Sequence, residues 1–241
     1  MMFRTLIELD EIQQILISVI AISFAFTLVF AHIDGLMQYP KEFAVFMVLS
    51  LVTIGSGFIL HEMSHKLVAV YYGAYAKFRM WTQGLIFMLA VSLFGVLFAA
   101  PGAVYIYSRN ITVKQNAVIS LAGPAMNIFL MCFFLALHFL DIVKPFYFSF
   151  LYGVTFPNVI EGGAIDVWYF GAFINLILGL FNMIPAFPLD GSKIMAWNKP
   201  VWFGITAVML VLGAVLFSPM LVIPWVFFLI ILWLFSKMLF G

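Results

Sequence analysis

The chain has 241 residues, of which 66% are hydrophobic and 9% charged, with a formal net charge of +1. A soluble domain carries about 25% charged residues, so this chain cannot clothe a globule in polar surface and reads as a polytopic, mainly α-helical membrane protein. The near-neutral balance offers nothing to nucleic acid, and with Cys132 as the single cysteine an intrachain disulfide and a cysteine-rich zinc site are both excluded.

The chain opens on an acidic stretch, MMFRTLIELDEIQQ. The apolar run after it lacks a small-residue cleavage site and is expected to be a retained helix rather than a signal peptide. Spans are predicted at about 13–32, 43–72, 115–140, 165–185, 201–217 and 221–238, each near the ~20 residues needed to cross a bilayer. The second is long enough to project beyond the lipid. YAKFRMWT (75–82) and GAVYIYS (102–108) read as strands. The aromatic-rich stretch 141–164 reads as an interfacial loop. Internal repeats, low-complexity tracts and soluble appendages are not seen, so residues 1–241 are expected to form one membrane-embedded domain with its core at about 43–200.

The apolar segment 84–100 either crosses or turns back, and the distribution of cations separates the two. If it returns, and the N-terminus is cytoplasmic, Arg4, Lys66, Lys77, Arg79, Arg109, Lys114, Lys193, Lys199 and Lys237 lie inside, and Lys41 and Lys144 outside. If it crosses, the split becomes nearly even. The first topology is preferred: six spans, both termini cytoplasmic, and a hairpin-like element after the second span. It also places residues 61–65 and 186–200 on the same side, a requirement that the charges do not encode.

The stretch GFILHEMSHKLVAV (57–70) interrupts membrane-grade sequence with two histidines, a glutamate and a lysine. Residues four apart share a helix face, so His61 and His65 project together, as two imidazole ligands of a tetrahedral zinc would. Glu62 lies beside them, placed to reach a metal-bound water as general base without being a ligand. A catalytic zinc needs a third protein ligand and an open position. Most remaining acids and histidines, His32 and His138 among them, fall near span ends or on the far side.

Asp190 is the exception. In FNMIPAFPLDGSKI (181–194), Pro185 and Pro188 disrupt a helix and Gly191 permits a sharp turn. Unwound backbone at membrane depth is tolerated where it lines protein or a water-filled cavity, so Asp190 either enters a polar pocket or caps a turn. Two unpaired carboxylates at the bilayer centre would cost about 5–7 kcal/mol on insertion scales, which zinc binding, about 10–16 kcal/mol in structural sites, would offset. LAGPAMN (121–127) reads as close helix packing or as placing Asn127 inside the bundle. Asn182 reads as a backbone cap or as an amide donor to an oxyanion. Lys66 is expected to snorkel to the interface.

Taken in order, HEMSH (61–65), GPAMN (123–127) and NMIPAFPLDG (182–191) resemble the site-2 protease family, the intramembrane zinc metalloproteases. The resemblance covers about residues 43–200. It implies one zinc per chain, held by His61, His65 and Asp190, with Glu62 activating water. Asn182 would hold substrate or oxyanion, and Asn127 would be a structural or substrate-contacting residue. It further implies a strand-rich element at 75–108, a transmembrane protein as substrate, and an active site toward the cytoplasm in the cell membrane. A PDZ insertion or cystathionine-synthase-type domain, common in the family, has no room here. The rival readings are a metal-ion transporter using the same ligands in transit, against which no inverted repeat is visible and Glu62 is better explained by catalysis, and a metal-stabilised scaffold, which leaves Glu62 without a role.

Overall fold

The computed structural model describes residues 8–97, 101–108, 110–141, 143–151, 159–228 and 230–231. Helix α1 (Leu9–Gln38) is apolar along its length and breaks at His32, which has a φ of 52°. Pro40 opens α2 (Pro40–Ser50), where its missing N–H costs nothing because first-turn donors have no helical partner. A π turn, Leu51–Gly55, joins α2 to α3 (Ser56–Tyr71). Its wider winding shifts the phase of the helix that follows, and so helps set which face α3 turns to its neighbours.

Strand β1 (Tyr75–Met80) leads into helix α4 (Thr82–Ser92), and the chain returns as β2 (Gly102–Tyr107). β1 and β2 pair antiparallel, with Met80 opposite Gly102 and Tyr75 opposite Tyr107. The apolar segment between them therefore starts and finishes at one place. Residues 98–100 of that segment lie outside the described residues.

Helix α5 (Val113–Phe139) starts at Thr112, whose hydroxyl accepts from the Gln115 N–H. The aromatic stretch after it is not all loop. β3 (Phe146–Tyr147), β4 (Ile160–Glu161) and β5 (Ala164–Ile165) form a small sheet in the order β3-β5-β4. Asp166 then caps α6 (Val167–Asn182) by accepting from the Trp168 and Tyr169 N–H groups. An irregular stretch with Pro185 and Pro188 leads to α7 (Asp190–Trp197) and α8 (Lys199–Leu216).

Four helical stretches among the described residues are long and apolar enough to cross a membrane: Leu9–Gln38, Pro40–Tyr71, Val113–Phe139 and Lys199–Leu216. They match four of the six expected spans. The expected span at 165–185 falls on α6, which at 16 residues is shorter than the others. The expected span at 221–238 begins in the short apolar helix Pro219–Phe228 and continues into residues outside those described.

α6 sits at the centre of the packing. Phe170, Ala172 and Leu176 on it are at most 1% exposed. They belong to one apolar cluster with Ile22 and Phe26 of α1, Phe46 of α2, Ile54 of the π turn, Phe58 of α3 and Phe134 of α5. Glycines allow the close approaches. A Cβ at Gly171 would lie 3.0 Å from the Phe134 ring, and one at Gly179 would lie 3.3 Å from the Asn127 Cβ. Small residues serve helix association in membranes, where packing must replace the hydrophobic drive.

Candidate metal centre

His61 and His65 sit one turn apart on α3, both buried, with their rings edge to face at 4.6 Å between centroids. Their Nε2 atoms are 3.0 Å apart. Asp190, at the first turn of α7, places Oδ2 3.2 Å from His61 Nε2 and 3.0 Å from His65 Nε2. α7 comes so close because residue 191 is glycine: a Cβ there would overlap the Met183 carbonyl. The Met183 carbonyl also accepts from the Trp202 indole, which ties the irregular stretch to α8.

The opposite face of each imidazole is held by α5. His65 Nδ1 donates to the Ile119 carbonyl at 2.7 Å, and His61 Nδ1 donates to Asn127 Oδ1 at 2.6 Å. Between those two positions lies Gly123, where a Cβ would collide with both rings. Ile119, Gly123 and Asn127 follow a four-residue spacing, one stripe of α5. The stripe supplies an acceptor, a gap and a second acceptor to the two histidines of α3. Pro124 adds a helix turn with one fewer backbone donor.

With hydrogens on both Nδ1 atoms, both Nε2 atoms present lone pairs. Asp190 Oδ2 has no hydrogen-bond donor, and its partner Oδ1 receives Lys193 Nζ at 3.4 Å. Three buried ligand atoms thus converge, and with both imidazoles neutral the arrangement repels itself unless a cation sits among them. Their separations of 3.0, 3.0 and 3.2 Å approach the ~3.3 Å edge of a tetrahedron with bonds of about 2.0–2.1 Å, the zinc–nitrogen range. Among the described residues they form one group able to hold a metal. The donor set, two imidazoles and a carboxylate, suits zinc and leaves a fourth position open.

Glu62 is 9% exposed, and its Oε2 accepts from the Val104 N–H of β2 at 2.9 Å. It borders a cleft of about 70 Å³ whose wall includes His61, Gly102, Phe181, Asn182 and Leu189. Asn182 lies in that wall and donates Nδ2 to the Leu178 carbonyl at 3.0 Å. Asn127 is fully buried behind His61, with its Nδ2 donated to the Gly57 carbonyl and to Asn175 Oδ1. All six residues singled out from the sequence therefore lie at or around one cleft.

Two partners escaped the sequence reading. Asn175 sat in an apolar run with no motif around it. Glu11 read as part of an acidic terminus, whereas its carboxylate is 1% exposed and bonded to Lys66 Nζ and the Phe78 N–H. Lys66 does not snorkel: it is 4% exposed, because Glu11 offers a counter-charge inside the protein. β1 is further bound to α1 by the Met80 N–H on Gln14 Oε1 and by the Lys77 ammonium on Glu8 and Asp10.

A histidine pair one helical turn apart, a glutamate beside it, and an aspartate delivered from a proline-broken segment make a candidate HExxH metal site inside a bundle of membrane-grade helices. The chain belongs to peptidase family M50, the site-2 proteases, whose pattern matches residues 49–199. Its relatives include three proteins, each described as a "putative zinc metalloprotease". It is 40% identical to MJ0611 of Methanocaldococcus jannaschii over 80% of this chain and 86% of that protein. It is 24% identical to YwhC of Bacillus subtilis over 67% and 73%. It is 29% identical to sll0528 of a Synechocystis strain over 64% of this chain and 32% of that longer protein. No solved structure matches the chain with significance.

Proposed function

We propose that the chain is an intramembrane zinc metalloprotease that hydrolyses peptide bonds of transmembrane proteins in or near the bilayer, with its site toward the cytoplasm and both termini on that side. The observation that carries the reading is the convergence of three buried ligand atoms, His61 Nε2, His65 Nε2 and Asp190 Oδ2, beside a cleft lined by His61 and the Glu62 carboxylate. His61, His65 and Asp190 would hold one ion per chain. When bound, zinc would lower the pKa of a coordinated water and polarise the scissile carbonyl.

Glu62 takes a proton from the attacking water on its carboxylate and returns it to the leaving amine as the C–N bond breaks. Asn182 stands in the cleft wall. Its bond to Leu178 uses one of its two amide hydrogens, and the other can meet the developing oxyanion. Asn127 orients His61 from behind.

A helical substrate must unwind before its carbonyls are exposed, and an edge strand can hold it open. The outer edge of β1 is already taken by Glu11 and Gln14, which accept the Phe78 and Met80 N–H groups. In an antiparallel pair, N–H groups point alternately inward and outward. The Val104 N–H, opposite Phe78, thus points outward, toward Glu62. β2 is the edge that faces the chemistry, and Gly102 on it borders the cleft.

The test uses purified protein in detergent, with metal content measured by mass spectrometry for wild type, His61→Ala and Asp190→Ala, and cleavage of a single-span substrate followed in parallel. Zinc near one per chain, lost in both variants together with cleavage, supports the reading. Zinc lost in His61→Ala alone removes Asp190 from the ligand set. Zinc bound without cleavage, accompanied by zinc flux in proteoliposomes, overturns the protease assignment.

A further inference from the structure

We infer that Asn175 is a positioning residue for the metal centre, acting through Asn127 to hold His61 in the tautomer that offers Nε2 to the ion; the inference rests on the metalloprotease reading above. Donor and acceptor logic leaves one arrangement. The Gly171 carbonyl can only accept, so the atom of Asn175 lying 2.9 Å from it is the amide nitrogen. Asn175 Oδ1 is thereby turned to Asn127, which meets it with Nδ2 at 3.1 Å. The Gly57 carbonyl, 3.3 Å from the same nitrogen, imposes the same orientation. Asn127 Oδ1 then faces His61 Nδ1 and requires a hydrogen there. A neutral imidazole with its hydrogen on Nδ1 carries its lone pair on Nε2, the atom that points at His65 and Asp190.

The relay runs from a backbone carbonyl of α6 through two side-chain amides to a ligand on α3. Asn127 and Asn175 are both 0% exposed. With both amides enclosed by protein, a wrong pairing leaves buried polar atoms facing like partners. If Asn127 flipped, its Oδ1 would face two oxygens, those of Gly57 and Asn175, and its Nδ2 would face His61. Gly57 alone holds the amide by the longer of the two bonds; Asn175 doubles the penalty for flipping. The fit is close: a Cβ at Gly57 would stand 2.7 Å from Asn175 Oδ1. Partners behind a metal-binding histidine usually fix its tautomer, and their loss costs about 10–100-fold in metal affinity. Here that control extends one residue further back.

The alternative is that Asn175 only fastens α6 to its neighbours, as buried amides in membrane bundles do. Two readouts separate these roles. The first is the tautomer of His61 in metal-free protein labelled with 15N-histidine. The second is zinc affinity, measured by competition with a chromophoric chelator, for Asn175→Leu, Asn127→Leu and the double variant. The expected result is a His61 hydrogen on Nδ1 in wild type, Nε2–H populated in Asn175→Leu, and affinity reduced about 10-fold. The double variant should bind no more weakly than Asn127→Leu alone. Wild-type tautomer and affinity in Asn175→Leu, or a loss that adds in full to that of Asn127→Leu, overturns the inference. Should Asn175→Leu fail to fold, Asn175→Ser, too short to reach Asn127, is read against the same outcomes. A wild-type protein that takes up no zinc would sink the proposed function instead, and the tautomer would still decide the relay.

Discussion

Lys66 Nζ lies 2.5 Å from both carboxylate oxygens of Glu11, and the two side chains are 5% and 1% exposed. The pair joins the first helix to the residue directly after His65. Glu11 also accepts the Phe78 N–H, so one carboxylate ties α1, α3 and β1 together. Removing one partner of a buried ion pair leaves an uncompensated charge and costs about 3–5 kcal/mol, whereas replacing both with apolar groups is often neutral. Lys66→Met should therefore lower the melting temperature in detergent sharply, and Lys66→Met combined with Glu11→Leu should recover most of the loss. If the double variant is as unstable as the sum of the single ones, the pair is not coupled as the geometry states.

Glu62→Gln keeps an oxygen acceptor for the Val104 N–H and removes the base. Zinc content should stay at the wild-type level, and turnover should fall by about 10²–10⁴-fold, the usual contribution of a general base. Mass spectrometry of the purified variant beside a cleavage assay checks both halves. Wild-type turnover with full zinc would take the base role from Glu62.

Gly123 and Gly191 act by leaving space. Gly123→Ala puts a methyl group into both imidazole rings, and Gly191→Ala puts one into the Met183 carbonyl. Overpacking of this kind costs about 1–3 kcal/mol. The two should differ in what they displace. Gly123→Ala should misplace both histidines, and Gly191→Ala should move Asp190 while His61 and His65 remain able to bind. Chelator competition should therefore show a larger loss of zinc affinity for Gly123→Ala. Equal wild-type affinities in both would mean that the neighbours yield without moving the ligands.

Val104→Pro deletes the N–H that Glu62 accepts. That N–H points away from β1, and proline is tolerated on an edge strand at such a position, so the β1–β2 pair should survive. Cleavage of a single-span substrate should fall mainly through a lowered kcat, because Glu62 loses the N–H that orients its carboxylate. An unchanged kcat would argue that Glu62 is held in place without that bond.

The helical spacing in HEMSH by itself determined that two imidazoles share one face, since four residues is one turn whatever surrounds it. Apolar run length picked out four of the six expected spans, since span length follows from bilayer thickness, whereas the run at 165–185 folds as the shorter α6. The strands at 75–80 and 102–107 were legible from their composition. What local pattern could not carry was the rotation of each helix about its axis. Asp190 meets His61 and His65 across more than a hundred residues, because α7 seats Gly191 against Met183. Asn175 reaches Asn127, and Glu11 reaches Lys66, through helix phase and depth that depend on packing against all neighbours together. An isolated asparagine in an apolar run, or an acid near a terminus, looks alike whether it faces lipid, water or a ligand. The tertiary structure decided those cases, because a buried polar group is satisfied by partners that only the folded bundle brings within hydrogen-bond reach.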